Sequence, residues 1–300
     1  MFGWLFLIDI ISSVFEIFLK SKGGISMPSM IVDPSKCIRC GICVEVCPVG
    51  IIQFGEAGLP EMDIRASARC IECGHCALFC PESADCLSFL KNEDMKAVSS
   101  LKMPSAEEAV NFIKTRRSIR RFKNEELSQE ILNEIFESVG IAPTASNMQP
   151  VRWVISADPK KTKEITNLIL CWMREEIFKN PMSRISLVGA SMIAKAKAGE
   201  DGLLRGAPHV AVAVVPKEHG WPEDGSIALT YLELIAHAHG VGACWGGFLT
   251  AAIRNFKGLR DYLGISDDEH VCGAQMLGYP LIKPTRQFPT RKKQNISWIK

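Results

Sequence analysis

Eight of the twelve cysteines fall into two near-copies of one phrase. Cys37-Ile-Arg-Cys40-Gly-Ile-Cys43-Val-Glu-Val-Cys47-Pro48 is echoed by Cys70-Ile-Glu-Cys73-Gly-His-Cys76-Ala-Leu-Phe-Cys80-Pro81. Soft thiolates in this C-x2-C-x2-C-x3-C-P spacing suit a [4Fe–4S] cubane, which needs four sulfurs converging from different directions. Gly41 and Gly74 let backbone N–H groups approach the sulfurs closely, and Pro48 and Pro81 turn the chain away. Disulfides suit such short spacings poorly and need an oxidising compartment. A zinc site ordinarily shows two C-x2-C pairs rather than this phrase. The chemistry implied is one-electron transfer in a reducing, cytoplasmic setting. Cys86, Cys171, Cys244 and Cys272 are scattered and read as small buried hydrophobes.

Residues Ile31 to about Leu90 resemble a bacterial-type two-cluster ferredoxin domain. That resemblance implies that the fourth cysteine of each phrase ligates the other cluster. Cys37, Cys40, Cys43 and Cys80 would then hold one cluster. Cys70, Cys73, Cys76 and Cys47 would hold the second.

Three later segments carry a weaker chemical signal. Arg116-Arg117-Ser118-Ile119-Arg120-Arg121-Phe122 gathers guanidiniums and a hydroxyl, which suit bidentate phosphate contacts. Taken alone it reads more readily as a solvated basic helix end. Pro143-Thr-Ala-Ser-Asn147-Met-Gln149-Pro150 is a polar loop between prolines. Its amides could address a heteroaromatic edge, or it is merely a turn. Gly240-Val-Gly242-Ala-Cys244-Trp245-Gly246-Gly247-Phe248 is glycine-dense after a helix, either a close ligand approach or a tight loop. His209, His237 and His239 read as structural; a two-residue spacing does not put the last two on one helical face.

In this order, and with Gly278-Tyr279-Pro280 and a basic tail after them, the segments resemble the flavin-dependent nitroreductase family. The resemblance covers about residues 104–300, and chains joining both parts are ferredoxin-fused nitroreductase-like proteins. It implies an α+β domain with a central mixed sheet flanked by helices, in an intertwined homodimer with FMN at the interface. Arg116, Arg117, Ser118 and Arg120 would hold the FMN phosphate, ribityl chain and ring edge. Pro143, Thr144, Ala145 and Asn147 would border the ring from the partner protomer, with Gln149 nearby. The backbone of Cys244, Trp245, Gly246 and Gly247 would lie against the ring, and Arg291, with Arg286 and Lys292, would return to the phosphate. Thr144 replaces the family's serine, and Val151-Arg152-Trp153 displaces its tryptophan.

The elements that must position these residues follow from composition and pattern. Three hundred residues, 47% hydrophobic and 23% charged, describe about two globular domains. A net charge of +2 implies no attraction to polyanions, and no basic stretch interleaved with aromatics points to nucleic acid. Met1–Leu19 is strongly apolar, with Asp9, Ser12, Ser13, Glu16 and Lys20 forming one polar stripe on a helix. Residues 1–29 form an apolar helix packed on a partner or on the dimer, or lie upstream of a true start at Met27 or Met30; membrane attachment is disfavoured. The cluster domain occupies 30–92, a linker 93–103, and the flavin domain 104–300.

In the second domain, Ser105-Ala-Glu-Glu108 is a capping box, and Ser128 caps a helix through about Val139. Arg152–Ser156, Val210–Val215 (central), Val271–Leu277 and a short Ile296–Ile299 read as strands. Pro159–Met173 and Ile227–His239 read as helices, the latter closed by Gly240. No G-x-G-x-x-G follows a strand, and no P-loop is present. The whole reads as an FMN-dependent oxidoreductase whose clusters feed the flavin. Reduced ferredoxin or NAD(P)H would be the donor, and a nitro compound, quinone or activated alkene the acceptor. The alternatives are a non-catalytic redox relay or sensor and a reductive dehalogenase on the same fold.

Overall fold

The computed structural model describes residues 27–63, 65–286 and 292–299. Most of the expected N-terminal helix, and Arg291, lie outside them. Two compact units divide between Met103 and Pro104.

The first unit is built of short elements because the chain bends repeatedly around its cysteines. Strand β1 (Met30–Val32) pairs antiparallel with β4 (Asp85–Leu87), and β2 (Ile52–Phe54) pairs antiparallel with β3 (Pro60–Met62). Two single-turn helices, α1 (Ile42–Glu45) and α2 (His75–Leu78), follow Gly41 and Gly74. Both glycines sit in the left-handed region, at φ 78° and 71°, where a side chain is disfavoured. Cys43, Ile51, Ile52, Ala66, Cys70, Cys76, Ala77 and Leu87 form a small core. The stretch expected as a linker contains two 3₁₀ turns, Asn92–Asp94 and Val98–Ser100.

The second unit opens with α3 (Ala106–Thr115). The Ser105 hydroxyl accepts from the Glu108 N–H at 3.2 Å, and the Glu108 carboxylate accepts from the Ser105 N–H at 2.8 Å. Helix α4 (Gln129–Val139) is capped by Ser128. Then come β5 (Arg152–Ser156), α5 (Pro159–Lys179), α6 (Arg184–Lys197), β6 (His209–Pro216) and α7 (Pro222–Ala238). The chain closes with β7 (Gly242–Trp245), α8 (Gly247–Asn255), α9 (Lys257–Tyr262) and β8 (Glu269–Gly278). Helix α5 outruns its expected end at Met173 by reaching Lys179.

The strands form one sheet in the order β5-β6-β8-β7. Val210, Val212 and Val214 of β6 face α5 and α8, whereas Ala211, Ala213 and Val215 face α4 and α7. This two-residue alternation buries both faces and makes three layers. The expected mixed sheet is corrected: every described pair is antiparallel. β6 and β7 run in the same direction, joined by α7, but β8 lies between them and opposes both, so no parallel pair is hydrogen-bonded. Ile296–Ile299 is not a strand, and Ile296, Trp298 and Ile299 are exposed. Their apolar pattern has no described strand to pair with. Cys244 and Cys272 are buried as expected, but Cys86 and Cys171 are exposed. Cys86 takes the outward position of a short strand, and Cys171 the outer side of α5. Among the described residues no helix is long and apolar enough to cross a membrane.

Candidate functional site

In the first unit the eight phrase cysteines line two hollows. Cys37, Cys40, Cys43 and Cys80 line one, with Ile42, Pro60 and Asp85. Cys47, Cys70, Cys73 and Cys76 line the other, among Ile51, Ile52, Met62 and Phe89. Each hollow draws three cysteines from one phrase and the last from the other. The described residues hold no group of three His, Cys, Asp or Glu close enough for a single metal ion. Four cysteines around each hollow suit a polynuclear iron–sulfur centre. Burial pushes the Cys43 thiol up to about 11 and the Cys76 thiol up to about 12. Buried thiols of this kind stay protonated unless a strong positive centre replaces the protons.

In the second unit a cavity of about 330 Å³ opens between the end of α3, the last turns of α7, the start of β7 and the chain after Pro280. This size falls within the usual range for ligand pockets. Three backbone contacts draw its walls together. The Ile119 N–H donates to the Ala243 carbonyl at 3.0 Å, the Lys123 N–H to Tyr279 at 2.8 Å, and the Leu281 N–H to Arg121 at 3.0 Å. Gly242 lets Ile119 in, since a Cβ there would stand 2.6 Å from the Ile119 side chain. The segment Arg116–Phe122, the glycine-dense segment and the Gly278–Pro280 strand end, distant in sequence, are thus neighbours.

Four cations line this cavity, Arg116, Arg117, Lys283 and Arg286, with one carboxylate, Glu233. The Arg116 guanidinium donates to Glu233 Oε1 at 2.9 Å. Burial raises the Glu233 carboxyl above its ordinary value, and Arg116 opposes the rise. His237, one turn further along α7, also lines the cavity. Its ring lies tilted against that of Phe112, centroids 5.1 Å apart, and 3.1 Å from the Thr115 hydroxyl. That hydroxyl already donates to the Phe112 carbonyl at 2.9 Å, so the ring N–H is the donor to Thr115. Burial first, and Arg116 second, hold His237 below the usual histidine value.

Of the residues expected around a flavin, Arg116, Arg117 and Arg286 line the cavity. Ser118 and Arg120 follow on the same segment, where Arg120 is exposed, and Lys292 is exposed beyond it. Cys244, Trp245, Gly246 and Gly247 continue from the cavity wall into the start of α8. The loop Pro143–Gln149, with Thr144, Ala145 and Asn147, is held elsewhere. The buried Asp224, in the first turn of α7, accepts the Ala145 N–H at 2.9 Å. Ser146, Asn147 and Gln149 all take positive φ, an unusual density of left-handed residues for a loop without glycine. Sequence reading missed Glu233, Lys283, Thr115 and the cavity position of His237. Lys283 carried a signal, since it stands three residues past Pro280 and three before Arg286.

Residues 113–279 match the Nitroreductase family, more than half the chain, and residues 36–84 match the 4Fe-4S dicluster domain. The chain belongs to the nitroreductase family. A relative from Archaeoglobus fulgidus, provisionally named NADH dehydrogenase/NAD(P)H nitroreductase, is 27% identical over 174 residues, 58% of this chain and 86% of that protein. One of the same name from Methanothermobacter thermautotrophicus is 29% identical over 180 residues, 57% and 77% of the two chains. A solved nitroreductase with bound FMN from Bacteroides fragilis shares the fold at TM-score 0.54 and 21% identity, covering 64% of this chain and 99% of that one. The nitroreductase match ends at Tyr279, so Arg116, Glu233 and His237 fall inside it and Lys283 and Arg286 beyond it.

Proposed function

We propose that this nitroreductase-family chain is an FMN-dependent oxidoreductase. Its first unit carries electrons on two [4Fe–4S] clusters, and its second passes them to a small organic acceptor. The observation that carries this reading is the cation-lined cavity of the second unit in a chain that also has two four-cysteine hollows. Four cations against one carboxylate fit the dianionic phosphate of a flavin nucleotide. Arg117, Lys283 and Arg286 would bind that phosphate, Arg116 with them, while Ser118 and Arg120 reach toward the rest of the nucleotide. The first N–H groups of α8, from Gly247 and Phe248, have no intrahelical partner and suit the electron-rich edge of the ring. The loop Pro143–Gln149 would complete the site of a second copy in a homodimer.

Cys37, Cys40, Cys43 and Cys80 would hold one cluster and Cys47, Cys70, Cys73 and Cys76 the other. Bound FMN supplies a centre that exchanges electrons singly or in pairs, and the clusters exchange them singly. The chain's own side chains bind and orient; no acid–base pair is needed beside the cavity. Thiolate ligation calls for a reducing compartment such as the cytoplasm. Reduced ferredoxin is the donor that matches one-electron centres, and the names of the two archaeal relatives support NAD(P)H as the second candidate.

Anaerobic purification of the full chain with iron, sulfide and flavin analysis tests the reading. About eight iron atoms per chain, two four-iron clusters, and one FMN are expected. Arg117→Ala should weaken FMN binding about tenfold or more, as loss of charge-assisted phosphate contacts does. Absence of iron would overturn the cluster half, and unchanged FMN affinity in Arg117→Ala the phosphate site. Turnover with reduced ferredoxin against NAD(P)H then identifies the donor.

A further inference from the structure

A carboxylate in a cavity suited to a dianion works against the ligand's charge. Glu233 stands among buried neighbours of α7, with Leu229, Leu232 and Ala236 in the core behind it. Its own side chain is 11% exposed and that of Arg116 23%. A buried carboxylate at this position weakens the fold unless it is paired, and an apolar residue would have served the core better. It is paired with the Arg116 guanidinium, at 2.9 Å. Arg116 itself stands at the C-terminal cap of α3 with extended backbone, φ −62° and ψ 128°. A long side chain leaving a helix end there has several rotamers to choose from. Glu233 engages one N–H of the planar fork, and the fork keeps further donors for a ligand. His237 fixes the same corner from behind through Thr115 and Phe112.

We infer that Glu233 is a positioning residue: it does not touch the flavin nucleotide but orients the Arg116 guanidinium toward the phosphate. The inference rests on the flavin reading proposed above. It predicts that Glu233 acts on the phosphate end alone, and only through Arg116.

The test compares FMN with riboflavin, which lacks the phosphate, in fluorescence titrations of the flavin-stripped full chain. The ratio of the two dissociation constants measures what the phosphate contributes. Wild type should favour FMN strongly. Glu233→Leu should lower that preference about tenfold, the scale of one charge-assisted hydrogen bond. Glu233→Gln keeps the shape and a hydrogen-bond acceptor and should restore most of the preference. Arg116→Ala should lose the preference to the same degree, and the Glu233→Leu/Arg116→Ala double variant should be no worse than Arg116→Ala alone. If Glu233 serves only the core, FMN and riboflavin weaken together and the ratio holds; that result would overturn the inference. Full additivity in the double variant would overturn it too. A wild type with no preference for FMN would instead defeat the flavin-phosphate reading on which it rests. Should Glu233→Leu not fold, Arg116→Ala against Glu233→Gln still decides. An Arg116→Ala variant that keeps the full preference leaves Glu233 nothing to position.

Discussion

Single residues show most plainly what the sequence could and could not reveal. The cysteines were legible because a cluster loop is local: three of the four cysteines around each hollow fall within seven residues of one phrase and leave their mark as spacing. Glu233 was not, because an acid on a helix ordinarily reads as a solvated face, and only the packing of α7 shows it buried. Arg152 is a similar case. It follows Val151, which stands where the family's tryptophan is expected, and it forms a two-pronged ion pair with Glu269, at 2.8 and 2.7 Å, across strands distant in sequence. Arg152 first, and the Ser266 N–H with it, hold the Glu269 carboxyl below its ordinary value of 4.5. A carboxylate with a depressed value stabilises the fold above its unfolded-state pKa, and that stabilisation is lost as pH falls through the lower folded value. Arg152 is 45% exposed, so the pair contributes only about 0.5–1 kcal/mol. Arg152→Met should therefore lower stability by that amount at neutral pH in urea unfolding. Its gap from wild type should close as pH drops below 4.5. A gap of constant size down to about pH 3 would mean that packing, not charge, is what Arg152 supplies.

Elements were legible where their ends carry local chemistry. Ser105, Ser128 and Gly240 marked helix boundaries through caps that need only neighbouring residues. Ser128→Ala should cost about 1 kcal/mol of stability, and Ser128→Asp should retain the cap, as measured by the thermal midpoint of the second unit. Equal midpoints for the alanine and aspartate variants would show that α4 is held by its buried face of Leu132, Ile135 and Val139 alone. Strand β7 escaped notice because it opens on Gly242 and is flanked by Gly240, Gly246 and Gly247, which disfavour strands, and its identity comes from pairing with β8. Helices α6, α8 and α9 were likewise missed; their apolar residues meet the core across α5 and the sheet rather than forming a strong local pattern. The Pro143–Gln149 loop was recognisable as a loop, but its anchorage on Asp224 is a long-range contact that no spacing records.

At the scale of the molecule, the paired cysteine phrases, the polar stretch after Leu90 and the capping box at Ser105 mark the change from one part to the other, and the fold divides at Met103 and Pro104. The second unit has its own two-sided core, so residues 104–300 expressed alone should fold, bind FMN and contain no iron. That fragment should also lose turnover driven by reduced ferredoxin; turnover equal to that of the full chain would exclude a role for the clusters in electron delivery. Strand order was the part least open to reading, because it depends on which distant segments meet. β8, the last of the described strands, enters between β6 and β7 and is the described partner of both. During synthesis, then, β7 has no strand to pair with, and β6 must keep one edge open, until residues 269–278 have left the ribosome. The cysteine-rich unit is complete far earlier, so a newborn chain can load iron while its flavin domain is still an unclosed sheet with exposed edges.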